Sequence, residues 1–313
     1  MENGNWEKSV LEKVLLESVK EQRRSRRWKI FFRLIILGLI IWGIFKYYSN
    51  KDGDIIHEDK HVAVVDLVGE ISDEQNTYDN VKDSLNAALE DKNTIAVIIR
   101  ANSPGGSPVY SSMLYDEIMR LKTKYPKIPI DVVVEEMCAS GCYWIASAAT
   151  KIYASGGSIV GSIGVIYRGF GLTGSMQKLG VDSRLVIAGK NKAMGYPFIP
   201  ENAEQTQMQQ QMLDQIHQDF IRAVKKGRGS HLFTDAPDLF SGRYWIGDQA
   251  INLGLIDGFA TVDSLARDQF KTENIVDYTT EDDTLDKISK KLGVGLSDFA
   301  QKVSGMKSLG KFY

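Results

Sequence analysis

A serine set among small residues and a lysine at the end of a strand-like run carry most of the chemistry in this 313-residue chain. Ser140 lies in Met137-Cys138-Ala139-Ser140-Gly141-Cys142-Tyr143, between the strand-like residues 130–134 and the helix-like residues 144–149. A serine at a strand-to-helix turn is held out of the regular hydrogen-bond ladder, so its hydroxyl can face a substrate. It still needs a base. Histidine is scarce: only His57, His61, His217 and His231 occur, and none sits in a Gly-rich or strand-end context. Lysine can serve instead when burial disfavours its ammonium form. Lys192 lies in Gly189-Lys190-Asn191-Lys192, directly after the strand-like residues 183–188. The chemistry these residues suggest is that of a Ser/Lys dyad hydrolase.

Acyl transfer also needs donors for an oxyanion. In Asn102-Ser103-Pro104-Gly105-Gly106, at a strand-to-helix junction, backbone N–H groups could supply them, or the segment could be a plain tight turn. A second glycine-serine turn spans Ser158 to Gly164, where Ser162 could hydrogen-bond and orient an amine. The run from Gly169 to Gly174 matches a dinucleotide-binding spacing. It falls mid-domain, however, and lacks the acid expected about 20 residues further on, so nucleotide binding is not expected. Cys138 and Cys142 flank the serine without a neighbouring histidine, a poor zinc site. They are expected to be buried packing thiols and to stay unpaired. Helical i,i+4 side chains stand about 5–6 Å apart at Cβ, beyond the ~3.8 Å a disulfide prefers. No cofactor and no metal are expected.

The elements that must position these residues follow from patterning. Short apolar runs at 62–68, 94–100, 130–134 and 151–154 alternate with helix-like segments near 79–90, 109–125 and 144–150, the signature of βαβ units around a mostly parallel sheet. A long, Gln-rich polar helix is expected over 201–226. Composition is ordinary for a globular protein, 25% charged and 43% hydrophobic. The net charge of −2 argues against a nucleic-acid-binding body.

The N-terminus is a membrane problem. Residues 30–48 are apolar but for Arg33 and Lys46, and the uninterrupted core of 12 residues, 34–45, is shorter than the span of a bilayer. Both basic residues lie near the ends, where long side chains can reach the headgroups. Trp28, Trp42, Tyr47 and Tyr48 suit an interfacial belt. Lys20, Arg23, Arg24, Arg26, Arg27 and Lys29 precede the run against the single acid Glu21, which puts the N-terminus in the cytoplasm and the body outside. The expected organisation is a cytoplasmic basic amphipathic segment (1–29), a transmembrane anchor (30–48), a linker (49–60), a catalytic domain (61–270) and a C-terminal extension (271–313).

Taken together, the Ser-Pro-Gly-Gly run at 103–106, Ala-Ser-Gly-Cys-Tyr at 139–143, Gly-Ser-Ile-Gly-Val at 161–165 and Gly-x-x-Lys at 189–192 resemble the signal peptide peptidase A family of membrane-anchored serine peptidases, in its short bacterial form. A block from Gly242 to Asp257 adds to the likeness, which covers roughly 60–265. The resemblance implies a crotonase- and Clp-protease-like βαβ superhelical α/β fold behind a single N-terminal transmembrane helix. It implies Ser140 as nucleophile and Lys192, in preference to Lys190, as general base. Ser162 would orient the lysine, and backbone at Gly106 and Gly141 would form the oxyanion hole. The family usually has small or polar residues where this chain has Cys138 and Cys142. Implied substrates are remnant signal peptides and other short apolar peptides, outside the cytoplasm at the bacterial inner membrane. A homo-oligomeric ring is also implied, because double-length members divide lysine and serine between tandem halves. The competing classes are a catalytically silent membrane scaffold and a crotonase-like acyl-CoA enzyme.

Overall fold

The computed structural model describes residues 24, 26–39, 41–42 and 59–280. The chain divides into two compact units, Met1–Ile56 and His57–Tyr313. In the first, the described residues are helical (α1: residues 24, 26–39 and 41–42). Their apolar side chains, among them Trp28, Phe32, Leu34, Leu39 and Trp42, are all exposed. Among the described residues no helix is long and apolar enough to cross a membrane. The expected 30–48 span lies partly outside the described residues, as do residues 1–23, most of the expected linker and residues 281–313.

The second unit is a mixed α/β domain on an eight-stranded sheet ordered β6-β5-β3-β2-β1-β8, with β4 pairing β3 and β7. Its central strands are β1 (His61–Ile71), β2 (Thr94–Gly106) and β3 (Ile130–Ala139). The short strands are β4 (Ile152–Ala154), β5 (Ile159–Gly161), β6 (Tyr244–Ile246), β7 (Gly258–Phe259) and β8 (Ile275–Asp277). All pairings are parallel except β5 with β6. Parallel strands with helices on both faces read as continuous apolar runs. Strand β1 shows why: Ala63, Val65 and Leu67 enter the larger core, whereas Val62 and Val64 enter a smaller one. Helices α2 (Thr77–Glu90), α3 (Pro108–Lys124), α4 (Gly141–Ala146) and α6 (Ala203–Arg228) contribute to the larger core, and α8 (Val262–Asp268) to the smaller. Between α4 and α6 in sequence come α5 (Thr173–Leu179) and a largely irregular stretch; α7 (Gly247–Ala250) follows β6.

Three local expectations change. The Ser103–Gly106 run is not a free turn. Strand β2 continues through it, and Glu70 and Ile71 of β1 pair with Gly105 and Gly106 after a register shift. Residues 183–188 form no strand and are exposed, and they have no ladder partner among the described residues. The helix after Ser140 starts at once, at Gly141, rather than at residue 144.

One buried ion pair ties the far end of the sheet together. Arg228, at the end of α6, donates to both carboxylate oxygens of Asp257 at 2.8 and 2.9 Å and to the Gly254 carbonyl at 2.9 Å. Asp257 also accepts from the Ile152 backbone N–H at the start of β4. Gly227 permits the approach of α6 to α4, since a Cβ there would lie 1.9 Å from the Ser147 carbonyl oxygen.

Candidate active site

Ser140 sits where β3 ends and α4 begins, with φ 54° and ψ −125°. A non-glycine residue is rarely held at positive φ, and such strain persists only where its surroundings over-determine it. Here they do. The Ser140 N–H donates to the Gly161 carbonyl at 2.8 Å, and its own carbonyl accepts from Trp144 at 3.0 Å. Two residues into α4, fully buried Tyr143 donates its hydroxyl to the Leu255 carbonyl at 2.7 Å. Burial pushes that phenol well above its ordinary pKa, so it stays a donor. The helix that carries the serine is thus anchored to the region held by Arg228 and Asp257.

The glycine pair at the end of β2 closes on this turn. At Gly105, φ is +97°, and a Cβ would come within 2.7 Å of both the Ala139 oxygen and the Gly141 nitrogen. At Gly106 a Cβ would lie 2.2 Å from the Ile71 oxygen, and one on Gly141 would lie 3.2 Å from the Gly106 nitrogen. Only glycines admit this packing, which brings the backbone of Gly106 and Gly141 together beside Ser140. All three line a cavity of about 90 Å³ together with Trp144, Val165, Ile166 and Phe220. The rings of Trp144 and Phe220 stack at 4.8 Å.

Ser162 follows directly on Gly161, which pairs with Ala139 in the β3–β5 ladder. It is therefore beside the serine turn, itself at positive φ (52°), with its N–H on the Arg243 carbonyl. Lys192 is placed differently. It is exposed in a run of turns over 190–195, its backbone N–H bonded to the Gly189 carbonyl at 3.0 Å, and it does not line the Ser140 cavity. Lys190 is engaged by Glu204, at 3.1 Å. No such partner holds the Lys192 ammonium among the described residues. The fold thus gathers Ser140, Gly106, Gly141 and Ser162 and leaves Lys192 apart.

Cys138 and Cys142 are joined in a disulfide, with Cα atoms 5.1 Å apart, which corrects the expectation of free thiols. The helical i,i+4 spacing does not apply because Cys138 is the penultimate residue of β3. The positive-φ bend at Ser140 brings its side chain against the first turn of α4. Trp144, Phe220 and His217 are site neighbours that sequence reading missed. Phe220 is fully buried in the Gln-rich α6, in line with Ile216 and Val224 at helical spacing, and that apolar stripe was the available signal. His217, one turn earlier, donates from Nε2 to the Ile163 carbonyl at 3.0 Å, just before the cavity-lining residues Gly164, Val165 and Ile166. Among the described residues no group of three or more His, Cys, Asp or Glu is placed to hold a metal ion.

A serine presented at a strained strand-to-helix bend, against paired glycine backbone in an α/β domain, is an arrangement that fits the catalytic domain of a serine peptidase. The family model for peptidase family S49 matches residues 122–276. An inferred protease of Methanocaldococcus jannaschii is 30% identical over 81% of this chain and 88% of its own length. The chain belongs to peptidase family S49. An inferred signal peptide peptidase of Enterococcus faecium is 31% identical, over 73% of this chain and 66% of its own. A Brucella abortus protein named as a Na(+)/H(+) antiporter is 44% identical over 58% of this chain, but this chain spans only 25% of that protein.

Proposed function

We propose that this chain is a membrane-anchored serine endopeptidase that cleaves remnant signal peptides and other short apolar peptides outside the cytoplasm, using Ser140 as nucleophile and Lys192 as general base. On this reading Ser140 Oγ attacks a peptide carbonyl as the Lys192 amine takes its proton. Backbone N–H groups of Gly106 and Gly141 receive the oxyanion, and the lysine returns the proton to the leaving amine. A water activated by the same amine then hydrolyses the acyl-enzyme, with Ser162 orienting that amine.

The observation that carries the reading is the division of the site. Gly106 and Gly141 line one cavity with Ser140, whereas Lys192 stands exposed outside it. A lysine acts as base only where burial disfavours its charge. Lys192 therefore needs cover that its own chain does not supply, and a neighbouring copy in a closed ring would supply both the cover and the serine. The crotonase- and Clp-like superhelical arrangement belongs to the same proposal. The exposed apolar side chains of α1, beside the basic cluster, support a bilayer anchor with the N-terminus in the cytoplasm. The Cys138–Cys142 disulfide supports an oxidising compartment for the catalytic unit.

The test mixes inactive Ser140→Ala protein with inactive Lys192→Ala protein under subunit exchange and assays hydrolysis of a synthetic signal peptide. Activity should return at interfaces where an intact serine meets an intact lysine. A mixture that stays inactive while labelled subunits exchange refutes the shared site.

A further inference from the structure

The disulfide closes a ring of residues 138–142 with Ser140 at its middle. Its two ends belong to different elements. Cys138 is fixed in the sheet, opposite Ser103 of β2 and Val160 of β5. Cys142 is the second residue of α4, next to the anchored Tyr143. The bond therefore ties the last turn of strand to the first turn of helix, the two pieces between which Ser140 must keep its positive φ. A ring this short removes little chain entropy from the unfolded state, so it adds little to global stability. Its effect is local. The hydrogen bonds from Ser140 to Gly161 and from Trp144 to Ser140 can be exchanged for bonds to water if the bend relaxes, whereas the covalent link cannot. Both cysteines are fully buried, which shields the sulfurs from attacking thiolates and makes the bond a lasting clamp in an oxidising compartment.

We propose that the Cys138–Cys142 disulfide is a positioning element of the peptidase site, locking the bend that aims Ser140 Oγ at the scissile carbonyl. The proposal rests on Ser140 being the nucleophile. The two readings fail separately: activity surviving in Ser140→Ala sinks the nucleophile, whereas full activity without the disulfide sinks only the clamp.

The experiment compares wild type with the Cys138→Ala/Cys142→Ala double variant in the full-length, detergent-solubilised protein. The wild-type peptide containing residues 138–142 should gain two hydrogens on reduction by dithiothreitol, whose own thiols become a cyclic disulfide as the two cysteine thiols form. The double variant should keep the wild-type circular dichroism spectrum and its KM. Its kcat and its rate of labelling by a serine-reactive fluorophosphonate should each fall about tenfold or more, the scale on which a small misplacement of a reacting atom acts. Two free thiols in the untreated protein, or a kcat and labelling rate equal to wild type in the double variant, overturn the proposal. Should the double variant fail to fold, wild type reduced in just enough urea to release both thiols gives the comparison. Labelling must then fall in step with thiol release, beyond the loss caused by the same urea without reductant, and labelling that holds steady refutes the clamp.

Discussion

The bend at Ser140 and the arm that carries Lys192 are built on opposite terms. Around Ser140 the neighbours in β3 and α4 are core: Cys138, Cys142, Tyr143 and Ile145 are fully buried, and the backbone is bonded on both sides. Along residues 164–200 many apolar side chains are exposed instead, with Ile166 at 69%, Phe170 at 84%, Leu179 at 76% and Val186 at 97% exposure. Isolated exposed apolar residues are ordinary on protein surfaces, but a run of them marks an interaction face. The contrast teaches that one copy of this chain can fix a nucleophile by its own packing, while the segment bearing the proposed base is fitted to be packed against something else.

The largest effect expected from breaking either side is on catalysis. Ser140→Ala and Lys192→Met should each lower peptide hydrolysis by about 10³-fold or more, as removal of a nucleophile or its base does elsewhere. Lys190→Met, which loses only an exposed pair with Glu204, should stay within about twofold of wild type. Steady-state assays on all three variants decide the assignment, and an inactive Lys190 variant beside an active Lys192 variant reverses it.

Next in size is the anchoring of the core side. Arg228→Met strands the buried Asp257 carboxylate and the Gly254 carbonyl, and should cost about 3–5 kcal/mol in urea unfolding. A loss below about 1 kcal/mol, the scale of a surface pair, would mean that this end of the sheet is held by other means.

On the arm, the outcome should separate stability from assembly. Leu179→Ser with Val186→Ser should leave the unfolding midpoint of the dispersed catalytic unit nearly unchanged, since both side chains are already exposed. Sedimentation should nevertheless show weaker self-association and a parallel loss of activity. Unaltered assembly would remove these two residues from the interface.

The smallest effect concerns Asp131, on the core side at the start of β3. It is fully buried, and desolvation, with Asp257 nearby, lifts its pKa to about 6 despite bonds from the Lys151 N–H and Gln269. The folded carboxyl thus keeps its proton to higher pH than the unfolded one. Its contribution to stability is fully present below the ordinary carboxylate pKa and is lost as pH rises from there through about 6. Asp131→Asn should therefore gain on wild type by about 1–3 kcal/mol between acid and neutral pH. A difference that does not change with pH would show that Asp131 titrates normally.

The sequence by itself determined the order of elements from β1 to β4 and singled out Ser140 as the proposed nucleophile. Short β-branched apolar runs such as residues 62–65, bounded by polar segments, favour strands buried on both faces, as β1 is there. The small residues around Ser140 and the glycines at 105–106 marked both segments as tight turns or backbone donors, and the structure shows a close backbone approach there. These are local facts, set by steric size and hydrophobicity. What only the tertiary structure decided depends on partners distant in the chain. Strand β2 runs on through Pro104 because β1 bends to meet it, and β8 joins the sheet beside β1 although the sequence past residue 270 shows no pattern. Residues 183–188 have strand-like composition but no ladder, because a strand exists only where another is there to bond it. Cys138 and Cys142 pair because a positive φ at Ser140 turns the helix back onto the strand, and spacing alone cannot reveal a dihedral angle.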